Sequence, residues 1–190
     1  MYGWWAEGGY SYSSSPWYAY RDSIKTVIVH PGITLITNSA FADCISLTSV
    51  SLPEGLRSIQ QFAFYGCTAL TNIHIPSTVT DFVSPFNYCS SLVYCNIPNG
   101  VTELGYGAFM GCGSLNNITI PASVRQIGMG SFDGTYSLQS VTFEGNAPLL
   151  DTPEGVIGGL SRSVIIYYPS GASGWNAQEW TGSGLTMIPK

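Results

Sequence analysis

Seven side chains in this 190-residue chain are the obvious candidates for chemistry: Cys44, Cys67, Cys89, Cys95 and Cys112, with His30 and His74. Thiolates and imidazoles hold zinc when four ligands surround one ion, with sulfur at about 2.3 Å. A catalytic reading instead requires a nucleophile, a base and an orienting group to converge. Carboxylates for such a role exist in Asp43, Glu54, Asp81, Glu103 and Asp133. Whether any of these groups meet depends on the elements that carry them.

Those elements repeat. Phe41, Phe64, Phe86, Phe109 and Phe132 are separated by 23, 22, 23 and 23 residues. A fixed period in this range is the signature of a solenoid, in which each coil buries its apolar face against its neighbours. From Ala40 the unit reads Phe41, Cys44, Leu47, Val50, Leu52, Pro53, Leu56 and Ile59. The next copies carry Cys67, Leu70, Ile73, Ile75, Pro76, Val79 and Phe82, then Cys89, Leu92, Cys95, Ile97, Pro98, Val101 and Leu104. Two more follow, through Ile127 and through Phe143, and a half copy from Ile24 to Ile36 precedes them all.

Within each unit, Leu-x-x-Val-x-Leu-Pro alternates inward and outward residues, the period-two pattern of a half-buried strand. The proline removes a ladder donor and ends that strand. Equivalent strands are expected to stack in parallel at about 4.8 Å per coil. The second limb, Val-x-x-Ile, is too short for an α-helix and is expected to be extended or 3₁₀. Gly66, Gly111 and Gly134 all precede the cysteine column, which marks a corner of positive φ. Asp43 and Tyr88 occupy that corner in the other coils, and Tyr88 is the misfit. The 22-residue spacing falls in the same coil, at Phe82-Val-Ser-Pro-Phe86.

The repeat decides the chemistry. Cys44, Cys67, Cys89 and Cys112 form a line along the solenoid, and four sulfurs strung over about 14 Å cannot surround one metal. Neighbouring cysteines fall within the usual Cα window for a disulfide, but a parallel ladder sets the thiols side by side. Free, buried thiols are expected, packed as small hydrophobes. Cys95 takes the inward place of Val50 and Ile73 and belongs to the core. His74 faces outward while His30 shares the phase of Pro53, two coils away. No carboxylate pair recurs near either, so the expectation is no catalytic site, no metal and no cofactor. Asn117-Ile-Thr119 matches a glycosylation acceptor, a pattern too short to carry an assignment.

Composition narrows the partner. Only 9% of residues are charged, against about a quarter in ordinary proteins. Net charge is −5 with six Lys and Arg in all, too few for the clustered cations that bind a phosphate backbone. Nucleic acid is therefore excluded as a partner. No apolar run is long enough to span a bilayer, and the first residues lack the basic and apolar regions of a signal peptide.

The ends differ from the middle. Trp4, Trp5, Tyr10, Tyr12, Trp17, Tyr18 and Tyr20 crowd residues 1–23, which are expected to seal one end of the stack. An exposed aromatic platform for sugar is the alternative. Ser15-Pro16-Trp17-Tyr18 reads as one helical turn with Ser15 as its N-cap. After Phe143 the repeat breaks at Glu144-Gly-Asn-Ala-Pro148, and Ser163 to Pro169 regains the strand phase. The stretch from Ser173 to Trp180 is expected to form a short helix covering the far end, with Leu185 to Pro189 finishing the sheet or the lid. The chain thus divides into a cap (1–23), repeats (24–143) and a closing coil with its cap (144–190), all one domain.

The unit Ala-Phe-x-x-Cys-x-x-Leu-x-x-Val-x-Ile-Pro-x-x-Val-x-x-Ile-Gly, closed by Leu104-Gly105 and Ile127-Gly128, resembles the BspA-like branch of the leucine-rich repeats. Ser15 to Ile24 resembles the family's lead-in, and Phe143 to Pro148 with Tyr167 to Trp175 its closing unit. The resemblance implies a leucine-rich repeat solenoid of right-handed coils with one parallel sheet face. It also implies a non-enzymatic, adhesin-like module of a secreted or cell-surface bacterial protein, binding a host or microbial protein or glycan. In the family a longer β-rich cap and an export signal usually precede the lead-in, so Met1 is expected to lie inside a longer chain. A structural spacer without a ligand is the alternative, and a monomer is expected.

The remaining candidate for recognition is the outward strand face. Its columns run Thr26, Ser49, Asn72, Tyr94, Asn117, Ser140, and Ile28, Ser51, His74, Asn96, Thr119, Thr142, Tyr167. The array is polar and uncharged, with His74 and Tyr94 near its middle and Tyr167 at one end. Asn72, His74, Tyr94, Asn96, Asn117, Thr119, Ser140, Thr142 and Tyr167 form the expected binding face, tyrosine being favoured at hot spots. Solvation of a bare sheet by Ser, Thr and Asn would leave the same pattern.

Overall fold

The computed structural model describes residues 15–152, 155–156, 160, 163–177, 180 and 185–190. The strand face is built from β1 (Thr26–Ile28), β3 (Ser49–Ser51), β5 (Asn72–Ile73), β7 (Tyr94–Cys95), β9 (Asn117–Ile120), β11 (Ser140–Phe143), β13 (Ile165–Tyr168) and β14 (Thr186–Pro189). Every pairing among them is parallel, as the repeat requires. Thr26 lies opposite Ser49, Asn72 opposite Tyr94, and Asn117 opposite Ser140, so the columns drawn from the sequence are the columns of the fold. The face is not one uninterrupted sheet: β1 pairs β3, β5 pairs β7, and β9, β11, β13 and β14 form a four-stranded ladder.

The second limb is extended, and it also pairs, which the sequence reading did not anticipate. β2 (Leu35–Ile36), β4 (Ser58–Ile59) and β6 (Asp81–Phe82) form one parallel ladder; β8 (Glu103–Leu104), β10 (Gln126–Ile127) and β12 (Leu149–Leu150) form another. Ile36, Ile59, Phe82, Leu104 and Ile127 turn inward and are buried. With that side fixed, the backbone groups of adjacent coils face each other and bond, since buried amides must find partners. The interruption between β6 and β8 follows the coil that is one residue short.

β12 also corrects the expected end of the repeat. Gln126 and Ile127 pair with Leu149 and Leu150, so the 23-residue spacing persists through the stretch read as a break. Ala147 takes the phase of Val124, and Gly145 lies so close to Ala122 that a Cβ there would come within 2.8 Å of its Cα. The smaller residues preserve the backbone path.

The phenylalanines form the core row. Phe41 and Phe64 stack at 5.4 Å, Phe64 and Phe86 at 5.6 Å, and Phe109 and Phe132 at 6.5 Å. Between the two segments the row passes through Phe82, 5.7 Å from Phe86 and 6.2 Å from Phe109. Phe82 supplies a ring where neighbouring coils have Ile59 or Leu104, in the short coil. Each such ring stabilises the fold by about 1.5–3 kcal/mol through burial.

Trp4, Trp5, Tyr10 and Tyr12 lie outside the described residues. Trp17 extends the aromatic row, stacking on Phe41 at 5.3 Å and donating its indole N–H to Ala40 O at 2.7 Å. The helical turn is a 3₁₀ helix, η1 (Tyr18–Ser23), capped by Trp17 with no side-chain cap bond, so Ser15 is not its N-cap. The carbonyl of Ser15 accepts from Tyr18 N–H instead. At the other end Trp175 and Trp180 are buried against Phe143, at 4.8 and 5.4 Å. Of the helix expected over Ser173–Trp180, residues 173–177 form bends and turns, Trp180 is helical, and residues 178–179 lie outside the described residues. β14 pairs β13 and completes the sheet. Among the described residues no helix is long and apolar enough to cross a membrane.

Candidate functional site

The thiols come first, because the repeat gathers them. All five cysteines are buried and free. Their column has a hydrogen-bonding role that the sequence reading, which took them as small hydrophobes, missed. Cys67 Sγ donates to Phe41 O at 3.2 Å, Cys89 Sγ to Phe64 O at 3.1 Å and Cys112 Sγ to Phe86 O at 3.2 Å. Each thiol ties its coil to the one before. Thr135 keeps the donor but turns it to Phe132 O in its own coil, at 2.6 Å. Burial pushes Cys44 up to about 11 and Cys112 up to about 12, and raises Cys67, Cys89 and Cys95 as well. Neutral thiols in apolar surroundings are inert, since the thiolate is the nucleophile.

The corner preceding the cysteine column has the positive φ read from its glycines: Asp43 56°, Gly66 66°, Tyr88 60°, Gly111 73° and Gly134 74°. A second such column runs through Ser39, Phe62, Ser84, Gly107 and Gly130. Only two of those five are glycine, so the composition of that column gave little sign of it.

On the strand face, Asn72, His74, Tyr94, Asn117 and Thr119 are exposed, and Asn96, Ser140, Thr142 and Tyr167 are half-buried. Between β7 and β9 the sheet opens, and a groove of about 430 Å³ lies along the opening. It brings together Tyr94, Asn96, Asn117 and Thr119 from the expected set and adds Asn99 and Glu144. Asn72, His74, Ser140, Thr142 and Tyr167 lie outside its lining. Glu144 occupies the phase of Pro53, Pro76, Pro98 and Pro121, and its N–H bonds Ile120 O at 3.0 Å, a bond no proline makes. A charged residue in a proline column was the signal that marked it.

Several members of the face are held by the scaffold. Asn96 Oδ1 accepts from Ile75 N–H and Asn96 Nδ2 donates to Ile75 O, both at 2.8 Å, so this amide acts as a piece of ladder. Ser140, on the β11 side of β9, donates to Asn117 Oδ1 at 2.8 Å, so this amide too is tied to the scaffold. Asn72 Nδ2 donates to Thr71 Oγ1 at 2.9 Å. Lys190 Nζ lies 3.9 Å from the Tyr167 ring centre, a cation–π contact that occupies one face of that ring. Tyr94, 53% exposed, offers its ring at the lip of the groove.

Comparison with known proteins matches this geometry. A BspA type leucine rich repeat region is recognised in six copies over residues 14–139. Among solved structures, the T. pallidum leucine rich repeat protein (TpLRR) is 31% identical with a TM-score of 0.57, over 64% of this chain and 61% of that one. A leucine rich cell surface protein from Faecalibacterium prausnitzii A2-165 is 23% identical over 87% of this chain and 59% of its own, with a TM-score of 0.41. The pneumococcal vaccine antigen PcpA is 18% identical over 95% of this chain and 38% of its own, also at 0.41. The present chain thus spans about three fifths of the treponemal protein. No curated protein matches it. With the repeat signature matched across two thirds of its length, and the stacked coils which that signature specifies, the chain belongs to the BspA-type leucine-rich repeat family.

Proposed function

We propose that the chain is a non-catalytic binding module of a secreted or cell-surface bacterial protein, and that its strand face contacts a host or microbial protein or glycan. The observation that carries this reading is the groove of about 430 Å³ between β7 and β9, where Tyr94, Asn117 and Thr119 meet Asn99 and Glu144. Amide and hydroxyl groups on a rigid backbone suit hydrogen bonding to an extended partner, and an exposed tyrosine supplies contact area at low entropic cost. The cell-surface description belongs to the F. prausnitzii protein, and its extension to this chain is part of the proposal.

Surface plasmon resonance against immobilised host matrix proteins and glycans tests it. Tyr94→Ala should weaken binding by about tenfold or more, and His74→Ala, outside the groove, by less. Unchanged binding in both variants would move the site off this face.

A second reading, a spacer in a larger surface protein, is favoured by the engagement of Asn96 with Ile75 and of Asn117 with Ser140. Polar groups already committed to the scaffold need no partner. Persistent failure to capture any ligand on the panel would support it.

A further inference from the structure

Tyr88, the misfit of the glycine corner, is not accounted for by the strand face. It adopts φ 60° in a column whose next two members are Gly111 and Gly134, and its side chain is 48% exposed. Left-handed backbone is rare for a bulky residue. Tyr65 packs edge-on against the ring at 5.4 Å, and Phe62 packs against Tyr65 at 5.8 Å, so the ring is supported from behind.

The ring leans over the next coil. A Cβ on Gly111 would come within 2.6 Å of Tyr88 Cδ1, so only glycine admits the ring there. From the opposite side Tyr136, 89% exposed, reaches back over the same coil. Its Cδ2 lies 3.9 Å from where a Cβ on Gly113 would be, and its hydroxyl 3.9 Å from that of Gly134. Tyr88 and Tyr136 belong to coils two apart, about 10 Å at the usual strand spacing. Gly111 thus lies against the Tyr88 ring and Gly113 beside the Tyr136 ring, with Cys112 buried beneath.

We propose that this corner is a second binding surface, separate from the strand face, which takes two ring faces of an uncharged oligosaccharide on Tyr88 and Tyr136. The chemistry selects that class. Within residues 87–90, 110–113 and 133–136 the only charged side chain is Asp133, so neither a phosphate nor a sulfated chain finds a cation. Two exposed aromatic rings with the exposed Ser90 nearby match the C–H faces and hydroxyl edges of a sugar. A proline-rich peptide docks in a groove lined by neighbouring aromatic rings, whereas these two rings stand on coils two apart.

The test is calorimetric titration of the intact chain with cellohexaose, chitohexaose and xylohexaose, and with decaproline as the peptide probe. At least one hexasaccharide should bind. Tyr136→Ala, at a position too exposed to affect folding, should lower its affinity about tenfold. Tyr88→Gly, which relieves the left-handed backbone, should lower it likewise without loss of thermal stability. Tyr20→Ala, which removes an exposed ring in η1 outside both surfaces, should leave it unchanged, which ties the affinity to these two rings. Absence of binding to all three sugars, binding untouched by both corner variants, or capture of decaproline in their place would each overturn the assignment.

Discussion

The two halves of the strand face are written in nearly the same sequence and fold differently. In the second half Asn117-Ile-Thr-Ile120 pairs Ser140-Val-Thr-Phe143 through four consecutive register positions. In the first, Asn72-Ile-His-Ile75 and Tyr94-Cys-Asn-Ile97 pair through only two. For the β5–β7 pair the difference is one side chain. Asn96 inserts its amide where the ladder would continue and takes both the N–H and the C=O of Ile75. An amide side chain mimics a peptide group, so the backbone stays satisfied while the strand is cut short. The next junction, between β7 and β9, carries no pairing, and there the groove lies. The lesson is that a repeat protein can open a groove by interrupting its own ladder, without a new element.

The largest perturbation should erase the contrast. Phe109 lies between Phe82 and Phe132 and joins the two halves of the core row, so Phe109→Ala should cost about 3–5 kcal/mol in urea unfolding. Next, Asn96→Ala strands two backbone groups of Ile75 and should cost about 1–3 kcal/mol. Thr119→Ala, in the same column of the intact ladder, should stay within about 0.5 kcal/mol. Equal losses at the two positions would remove the explanation given for the short strands.

A smaller effect comes from pH. The thiol column runs from Cys44 to Cys112, and Thr135 replaces it in the next coil. Burial raises the folded thiols above the ordinary value of 9.0, to about 11 for Cys44 and about 12 for Cys112. Above pH 9 the unfolded chain ionises while the folded thiols stay protonated, so stability should fall from pH 9 towards 12 and be flat through neutrality. Thermal unfolding at pH 7, 9 and 10.5 checks the sign, and a Cys112→Thr variant should show a shallower decline. The smallest stability effect is expected at Tyr94→Ala, within about 0.5 kcal/mol, because the ring is exposed and takes no part in the core.

How much of this could be read beforehand depends on whether a feature recurs. The columns on both sides of each strand followed from the period, since a register shift would turn every side chain to the wrong face. The glycine corner was legible because Gly66, Gly111 and Gly134 share a phase. Its companion through Ser39, Phe62 and Ser84 was not, because tertiary packing holds those residues in a conformation their types do not announce. The second ladder escaped notice because a two-residue strand leaves little periodicity to detect. Asn96 and Glu144 are single departures from a column: the first looks like any polar surface residue until its partner is seen, and the second fell in a stretch read as the end of the repeat.

Residue-resolved hydrogen exchange across the two junctions tests the opening of the sheet most directly. Amides of Tyr94–Ile97 and Asn117–Ile120 that point across the gap between β7 and β9 should exchange fast, while those joining β9 to β11 at Val141 and beyond stay protected. Uniform slow exchange through both junctions would mean that the ladder is closed there, and the groove, with the binding role proposed for it, would be lost.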